Sequence, residues 1–528
     1  MWIFCPFLST DAPKRRAIER EFTFPADIME CRVCGSSTKS RCSRCRLAFY
    51  CSTGCQTTDW PLHMVQCRAQ AVSVGAEQRA LPSAVSSLNV DWPVRRQHLV
   101  IAGYTGKWTR RLAVCPAEPG TYLLLFAPER PASILRQPHQ ISALITATLE
   151  QPCVHKDFDL AEQADAQWWS SREMPLVWSW KLFALSGSPE LPQPPVSQGS
   201  LRFPPYAADP TAPLTFLIWS CNQPFAKHKG RAVVGPLTEA IFAWYAALAQ
   251  RLQPTAVMGL GDTVYTDSDT PINWVNKVLA VPGWTRSAEV LRRVDELYRE
   301  TYWQHWSFPA FREVLHNHAH IFTWDDHEIR DGWGSEPGLD ASQHPLGSAA
   351  RRAAELFVLG IGPRLRPGLN ADAHQAFVLP PVAMWIFDTR SSRHYNERIV
   401  SEEQWVDFAG FLKQVATDRR VSVLLLSITV PLIYLRLGWE RALSEMSDLG
   451  QELLGCRDDA RDSWRAPGNE LHLARLIELL RQLHMARPAL PIIIISGDIH
   501  VANAFSFQPA GFSAPLYQGM YTPLIFAQ

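Results

Sequence analysis

Seven of the chain's twelve cysteines fall between Cys31 and Cys67, and no other feature restricts the fold so tightly. They come in pairs: Cys31-x2-Cys34, Cys42-x2-Cys45, Cys51-x3-Cys55, and finally His63-x3-Cys67. Thiolate and imidazole donors favour tetrahedral zinc, and these eight suffice for two closed sites. A segment this short cannot bury an adequate apolar core, so bound metal must supply its folding energy. Free or disulfide-bonded cysteines are the competing reading, which four evenly paired motifs disfavour.

The setting agrees. The apolar start, Met1–Leu8, is short for a secretion signal and is followed, not preceded, by Lys14, Arg15 and Arg16. Later apolar runs fall well below a membrane span. The expectation is an intracellular protein, cytoplasmic or nuclear, where paired thiolates bind metal in preference to oxidising. Its 51 basic residues match its 51 acidic ones, so direct nucleic-acid binding through a basic coat is not expected.

A chain of 528 residues implies several domains. Residues 1–30 read as an irregular lead and 31–67 as the metal module. From 92 to 186, short β-like runs (Gln97–Tyr104, Arg111–Cys115, Thr121–Phe126, Ser142–Leu149, Leu176–Leu185) alternate with turn residues, which suits a small antiparallel β-sandwich. Prolines and serines over 187–213 read as a linker. From 214 to 528 strand-like runs alternate with helical stretches: Leu214–Ser220, Ala256–Leu260, His320–Trp324, Ala383–Phe387, Val421–Leu426 and Pro491–Ser496 against Leu237–Leu252, Glu289–Gln304, Glu402–Asp418 and Glu470–Met485. This alternation predicts an α/β domain with layered sheets and helices.

Three motifs follow predicted strands in this last region. Gly261-Asp262-Thr263-Val264-Tyr265 offers a carboxylate that can hold or bridge hard cations, and a phenol suited to Fe(III); Gly-Asp alone is also an ordinary turn. Trp324-Asp325-Asp326-His327-Glu328 sets adjacent carboxylates beside a proton donor, which calls for a cation unless the turn is simply exposed. Ser496-Gly497-Asp498-Ile499-His500 places two ligands on one side of an extended segment; a helix cap and a satisfied histidine would look the same. Jointly they put metal-competent side chains at the C-terminal ends of strands in one α/β region, where such enzymes hold their sites.

Two resemblances follow from these residues. Tyr50-Cys51, Cys55-Gln56, Trp60, His63 and Cys67 resemble the MYND zinc finger. That resemblance implies two structural zinc ions, with Cys31, Cys34, Cys51 and Cys55 on one and Cys42, Cys45, His63 and Cys67 on the other. It also implies binding of a short peptide or protein partner. Ser220-Cys221, the motif at 261–265, Thr323–Trp333, Phe387-Asp388-Thr389-Arg390-Ser391-Ser392 and the motif at 496–500 resemble the PhoD-like phosphatases of the calcineurin-like metallophosphoesterases, over roughly residues 95 to 525. The implied fold is a layered α/β/β/α domain preceded by a small β-sandwich. The implied activity is hydrolysis of a phosphate ester, mono- or diester, by a metal-activated hydroxide.

The second resemblance also implies roles. Cys221, Asp262, Tyr265, Asp498 and His500 would surround an Fe3+-like centre, and Asp262 would bridge to a second site. Asp326 would hold the second cation, Ca2+ or another divalent metal. His327 would sit over the leaving group, with Asp325 beside it among the catalytic residues. Arg390 would meet the phosphate, or else be an ordinary ion-pair arginine. Cys221 read without the resemblance is a buried small apolar residue. An adaptor with a degenerate phosphatase-like domain is the alternative function. Loops near 223–235, 266–285 and 331–347 would carry substrate selectivity, though no residue pattern in them names a substrate.

Overall fold

The structure is a computed structural model that describes residues 90–105, 109–128, 141–159, 176–185, 194–203, 213–229, 231–267, 272–335, 344–395, 397–433, 461–466, 468–500, 502–520 and 523–526, with 29–30, 37–38 and 88. The larger of two compact units contains Val90–Asn276 and Val294–Gln528. In the smaller unit, Met29–Glu30 pairs antiparallel with Ser37–Thr38. The eight expected zinc ligands, Cys31, Cys34, Cys42, Cys45, Cys51, Cys55, His63 and Cys67, lie outside the described residues.

In the larger unit the first strands are β1 (Leu99–Tyr104), β2 (Thr109–Cys115), β3 (Gly120–Pro128), β4 (Ile141–Ala147), β5 (Val154–Asp159), β6 (Leu176–Ala184) and β7 (Ser197–Phe203). Next come β8 (Phe216–Gln223), α1 (Thr238–Leu252), β9 (Ala256–Leu260), α2 (Ala288–Trp306), α3 (Pro309–Asn317), β10 (Ala319–Thr323) and α4 (Pro345–Ala354). The remainder is β11 (Gln375–Leu379), β12 (Val382–Ile386), α5 (Glu402–Thr417), β13 (Val423–Ser427), α6 (Glu470–Ala486), β14 (Ile492–Ser496), β15 (Asn503–Phe507), β16 (Leu516–Met520) and β17 (Pro523–Phe526).

Two sheets form the centre. One runs β17-β8-β9-β10-β1-β2-β5 and the other β11-β12-β13-β14-β16-β15. They pack face to face through Met258, Leu260 and Ile321 against Met384, Ile386 and Ile495. The outer face of the first carries Trp219 and Phe322, covered by Phe242 of α1 and Phe311 of α3. The outer face of the second is covered by α5 and α6 through Trp405, Phe408, Leu476 and Leu480. This is the expected α/β/β/α layering. All five residues of β9 are buried, as a strand covered on both faces requires.

The sandwich forms, but it shares a sheet with the α/β layers. β1 pairs antiparallel with β2 and parallel with β10, so the seven-stranded sheet changes character at that seam. Its antiparallel end packs on a separate sheet, β4-β3-β6-β7, around Leu112, Leu124, Trp178 and Trp180. The stretch read as a linker over 187–213 therefore contains a strand, β7, paired with β6. Its polar and small residues hide it from a hydrophobicity reading. Gly199 is needed there because a Cβ would stand 2.7 Å from the Trp180 ring. β5 is a second polar strand that the sequence pattern does not announce.

Cys115 and Cys153, to which the sequence assigns no role, are joined as a disulfide. Such a bond is uncommon in the reducing compartment expected from the thiolate cluster. Both residues are buried, which shields it from soluble thiols. Among the described residues no helix is long and apolar enough to cross a membrane.

Candidate metal centre

Parallel strands present their C-terminal ends on one edge, and the sequence uses that edge in a regular way. β8, β9 and β10 are mutually parallel, as are β12, β13 and β14. Asp262, Asp325, Asp388, Thr429 and Asp498 each stand two residues past the end of their strand, and Cys221 lies near the end of β8. Glycine permits the close approach of these loops. A Cβ on Gly261 would lie 2.6 Å from the Asp325 Cβ, and one on Gly497 would lie 2.6 Å from the Ser220 Cβ.

The predicted ligands converge. Ligand atoms of Cys221, Asp262 and His500 lie within 4.8 Å of one another. The same holds for Asp262, Asp326 and His327, and for Asp262, Asp325, Asp326 and Asp498. Asp262 belongs to every set, which is the position expected of a carboxylate between two cations. The Cys221 Sγ lies 3.5 Å from Asp262 Oδ2, and the Tyr265 hydroxyl lies 3.1 Å from His500 Nε2. Cys221 is thus placed among the candidate ligands.

Backbone strain marks the same residues. Among the described residues six non-glycine residues have positive φ, and four are Cys221 (54°), Asp262 (51°), Asp498 (69°) and His500 (53°). The left-handed region is costly for such side chains and persists where surrounding structure enforces it, commonly at functional sites.

The electrostatics call for cations. Asp262 Oδ1 and Asp325 Oδ2 are buried without a hydrogen-bond partner among the described residues. Burial, with Asp326, Asp325 and Glu328 nearby, pushes the Asp262 carboxyl well above the usual range despite His327. Burial likewise raises Asp325 to about 6, against the pull of Arg390. Uncompensated carboxylates buried together are unfavourable unless protonated or bound to metal. Carboxylates, a thiol, a phenol and an imidazole form a donor set that fits metal cations.

Sequence reasoning missed the groups that hold these residues. Glu328, within the second motif, accepts from the backbone N–H of Asp262 (3.0 Å), Thr263 (2.6 Å) and Asp325 (2.9 Å), so one carboxylate fastens two loops. Asp267 pairs with His327 Nδ1 at 2.9 Å. Burial alone would lower the His327 pKa, but Asp267 and Asp326 outweigh it and hold the ring well above its ordinary value. The sequence signal for Asp267 is only its place five residues after Asp262. Asp331 has a largely exposed side chain, 3.9 Å from His327 Nε2.

One expected role needs correction. Arg390 is fully buried and cannot meet a phosphate in this structure. Its guanidinium pairs through Nε with Asp325, through Nη2 with Asp462 (2.6 Å) and Asp326 (3.4 Å), and donates through Nη1 to the Trp333 carbonyl (3.1 Å). Asp325 is held by Arg390 and by the Thr429 hydroxyl at 2.8 Å, and it stays within the ligand group of Asp262, Asp326 and Asp498. Trp324 and Trp333 are buried packing residues.

Residues 216–458 match the family model of the PhoD-like phosphatases, and residues 31–67 match that of the MYND finger. The chain carries both modules. The first match stops short of Asp498 and His500, whose place at the centre comes from the geometry. A solved structure of PhoD aligns with a TM-score of 0.51 at 14% identity, over 81% of this chain and 76% of that one, which is a likeness of fold. The ubiquitin carboxyl-terminal hydrolase 19 of Arabidopsis thaliana is 48% identical over 44 residues, covering 8% of this chain and 6% of that protein. The N-lysine methyltransferase SMYD2 of Rattus norvegicus is 44% identical over 43 residues, covering 8% of this chain and 10% of that protein. The chain thus spans a tenth or less of these curated relatives.

Proposed function

We propose that the PhoD-like phosphatase domain hydrolyses phosphoric esters, as a phosphatase or phosphodiesterase, and that the MYND finger recruits a peptide or protein partner. The observation that carries the first half is Asp262, common to all three ligand groups and left with an orphaned buried oxygen. Cys221, Asp262, Tyr265, Asp498 and His500 would hold an Fe3+-like ion, and Asp262 with Asp326 a Ca2+ or other divalent ion. Bound cations would neutralise phosphate oxygens and make water a competent nucleophile at neutral pH. The MYND resemblance implies two further zinc ions in a structural role.

The chain's own residues supply orientation and a proton. Asp267 fixes the His327 ring through Nδ1 and leaves Nε2 to donate to the leaving oxygen. Tyr265 lies against that ring, with centroids 4.2 Å apart, and limits its rotation. Glu328 sets the distance between the Asp262 and Asp325 loops. Replacing Asp267 by Asn is expected to lower kcat by roughly ten- to a hundredfold, because an orienting partner is lost while the proton donor remains. Metal content should stay at the wild-type level. A kcat equal to wild type would show that His327 does not need Asp267.

The direct test is turnover of an aryl phosphate by the purified protein, before and after chelation and with defined metals restored. The expected result is activity lost on chelation and regained with metal, in protein that contains iron or calcium as well as zinc. Zinc alone, with no turnover under any metal, would overturn the reading in favour of an adaptor.

A further inference from the structure

Beyond the metal centre, β8 continues into a short hairpin, Phe225–His228 paired with Arg231–Val234. Lys227, His228, Lys229 and Arg231 crowd its tip, and all are exposed. His228 and Arg231 are register partners and share a face, Lys227 belongs to the opposite face, and Lys229 occupies the turn with φ of 49°. None of these side chains has an ion pair or hydrogen bond among the described residues. No acidic residue occurs between Cys221 and Glu239. In a chain with equal numbers of acids and bases, this is an uncompensated cationic finger.

Its root is built into the metal centre. Asn222 donates its backbone N–H to the Asp262 carbonyl at 2.8 Å and its side-chain amide to the Thr263 carbonyl at 3.3 Å. Phe225 packs edge-on against His305 with centroids 5.0 Å apart, and His305 Nε2 accepts from the Tyr265 N–H at 3.2 Å. Gly235 N–H and the Thr238 hydroxyl both donate to the Pro224 carbonyl at 2.8 Å and close the base. Seven residues of extended chain separate His228 from Cys221, so the cations stand at most about 23 Å from the Cys221 end of the site. The loops that follow β9 and β10 on this edge carry Asp267, Asp326 and Asp331. An anionic tail leaving the centre is repelled by those carboxylates and attracted by the finger.

We propose that this hairpin is an anion subsite that holds the distal phosphates of a substrate carrying a linear phosphate chain. The proposal rests on the phosphoesterase reading above and adds a substrate class to it. Cations on both faces and in the turn suit a flexible chain of repeated charges better than one compact phosphate.

The test compares the full-length protein with its Lys227→Ser/Lys229→Ser/Arg231→Ser variant, all changes being at exposed positions. Inhibition of aryl phosphate hydrolysis is measured with orthophosphate, which reports the centre alone, and with medium-chain inorganic polyphosphate, in excess metal. The ratio of the two inhibition constants is expected to fall about tenfold in the variant, as three exposed charge contacts of modest strength are lost. The wild-type preference should also shrink as ionic strength rises. An unchanged ratio overturns the subsite. If the protein hydrolyses no aryl phosphate, the phosphoesterase reading fails separately. The same comparison is then made from fluorescence anisotropy of end-labelled polyphosphate, and equal affinity of the two proteins overturns the subsite.

Discussion

Replacing Asp262 by alanine is expected to lower aryl phosphate hydrolysis about a thousandfold or more and to deplete the phosphatase centre of metal. Asp262 is common to every ligand group, so its loss weakens both positions together. Several kcal/mol of charge stabilisation are at stake, and each ~1.4 kcal/mol is a factor of ten in rate. Zinc in the MYND finger should be untouched, which separates loss of a site from general unfolding. A second readout needs no activity. A buried carboxylate oxygen with no partner destabilises the metal-free fold, so Asp262→Asn should raise the thermal midpoint of the chelated protein. It should also abolish the rise in midpoint that added metal gives the wild type. Wild-type turnover in purified Asp262→Ala would sink the assignment of this centre.

The candidate ligands were legible in the sequence because most of them closely follow apolar strands. Ala256–Leu260, His320–Trp324 and Pro491–Ser496 announce strands by composition, and Gly261 and Gly497 announce two of the turns after them. The observed strands β9, β10 and β14 differ from those ranges by a residue at most. What the sequence concealed was of two kinds. Strands such as β5 and β7 are polar and are made by pairing, with little hydrophobic pattern of their own. Groups such as Glu328 and Asp267 act through contacts made 60 or more residues away, and no local spacing encodes those partners. Arg390 misled for the same reason. An arginine in a phosphatase-like motif suits a phosphate, and only burial shows that three carboxylates already occupy it.

That burial leads to the second large effect. Arg390→Met is expected to destabilise the fold by about 3–5 kcal/mol, the usual consequence of removing one partner from a buried ionic cluster. The guanidinium lies among Asp325, Asp326 and Asp462, and methionine of similar length strands Asp325 and Asp326 while Asp462 keeps Arg393 at 3.0 Å. Burial lowers the Arg390 pKa, but Asp325, Asp462 and Asp326 overcome it and hold the group well above its ordinary value. Arg390→Lys keeps the charge but not the fork that reaches Asp325, Asp462 and the Trp333 carbonyl together, so it should recover only part of the loss. Urea unfolding of the wild type, both single variants and Arg390→Met with Asp325→Asn measures this directly. The double variant should lie above Arg390→Met, because it removes one of the stranded charges. A phosphate-binding arginine would behave otherwise: KM would rise with the unfolding midpoint unchanged. That outcome would overturn the structural role assigned here to Arg390.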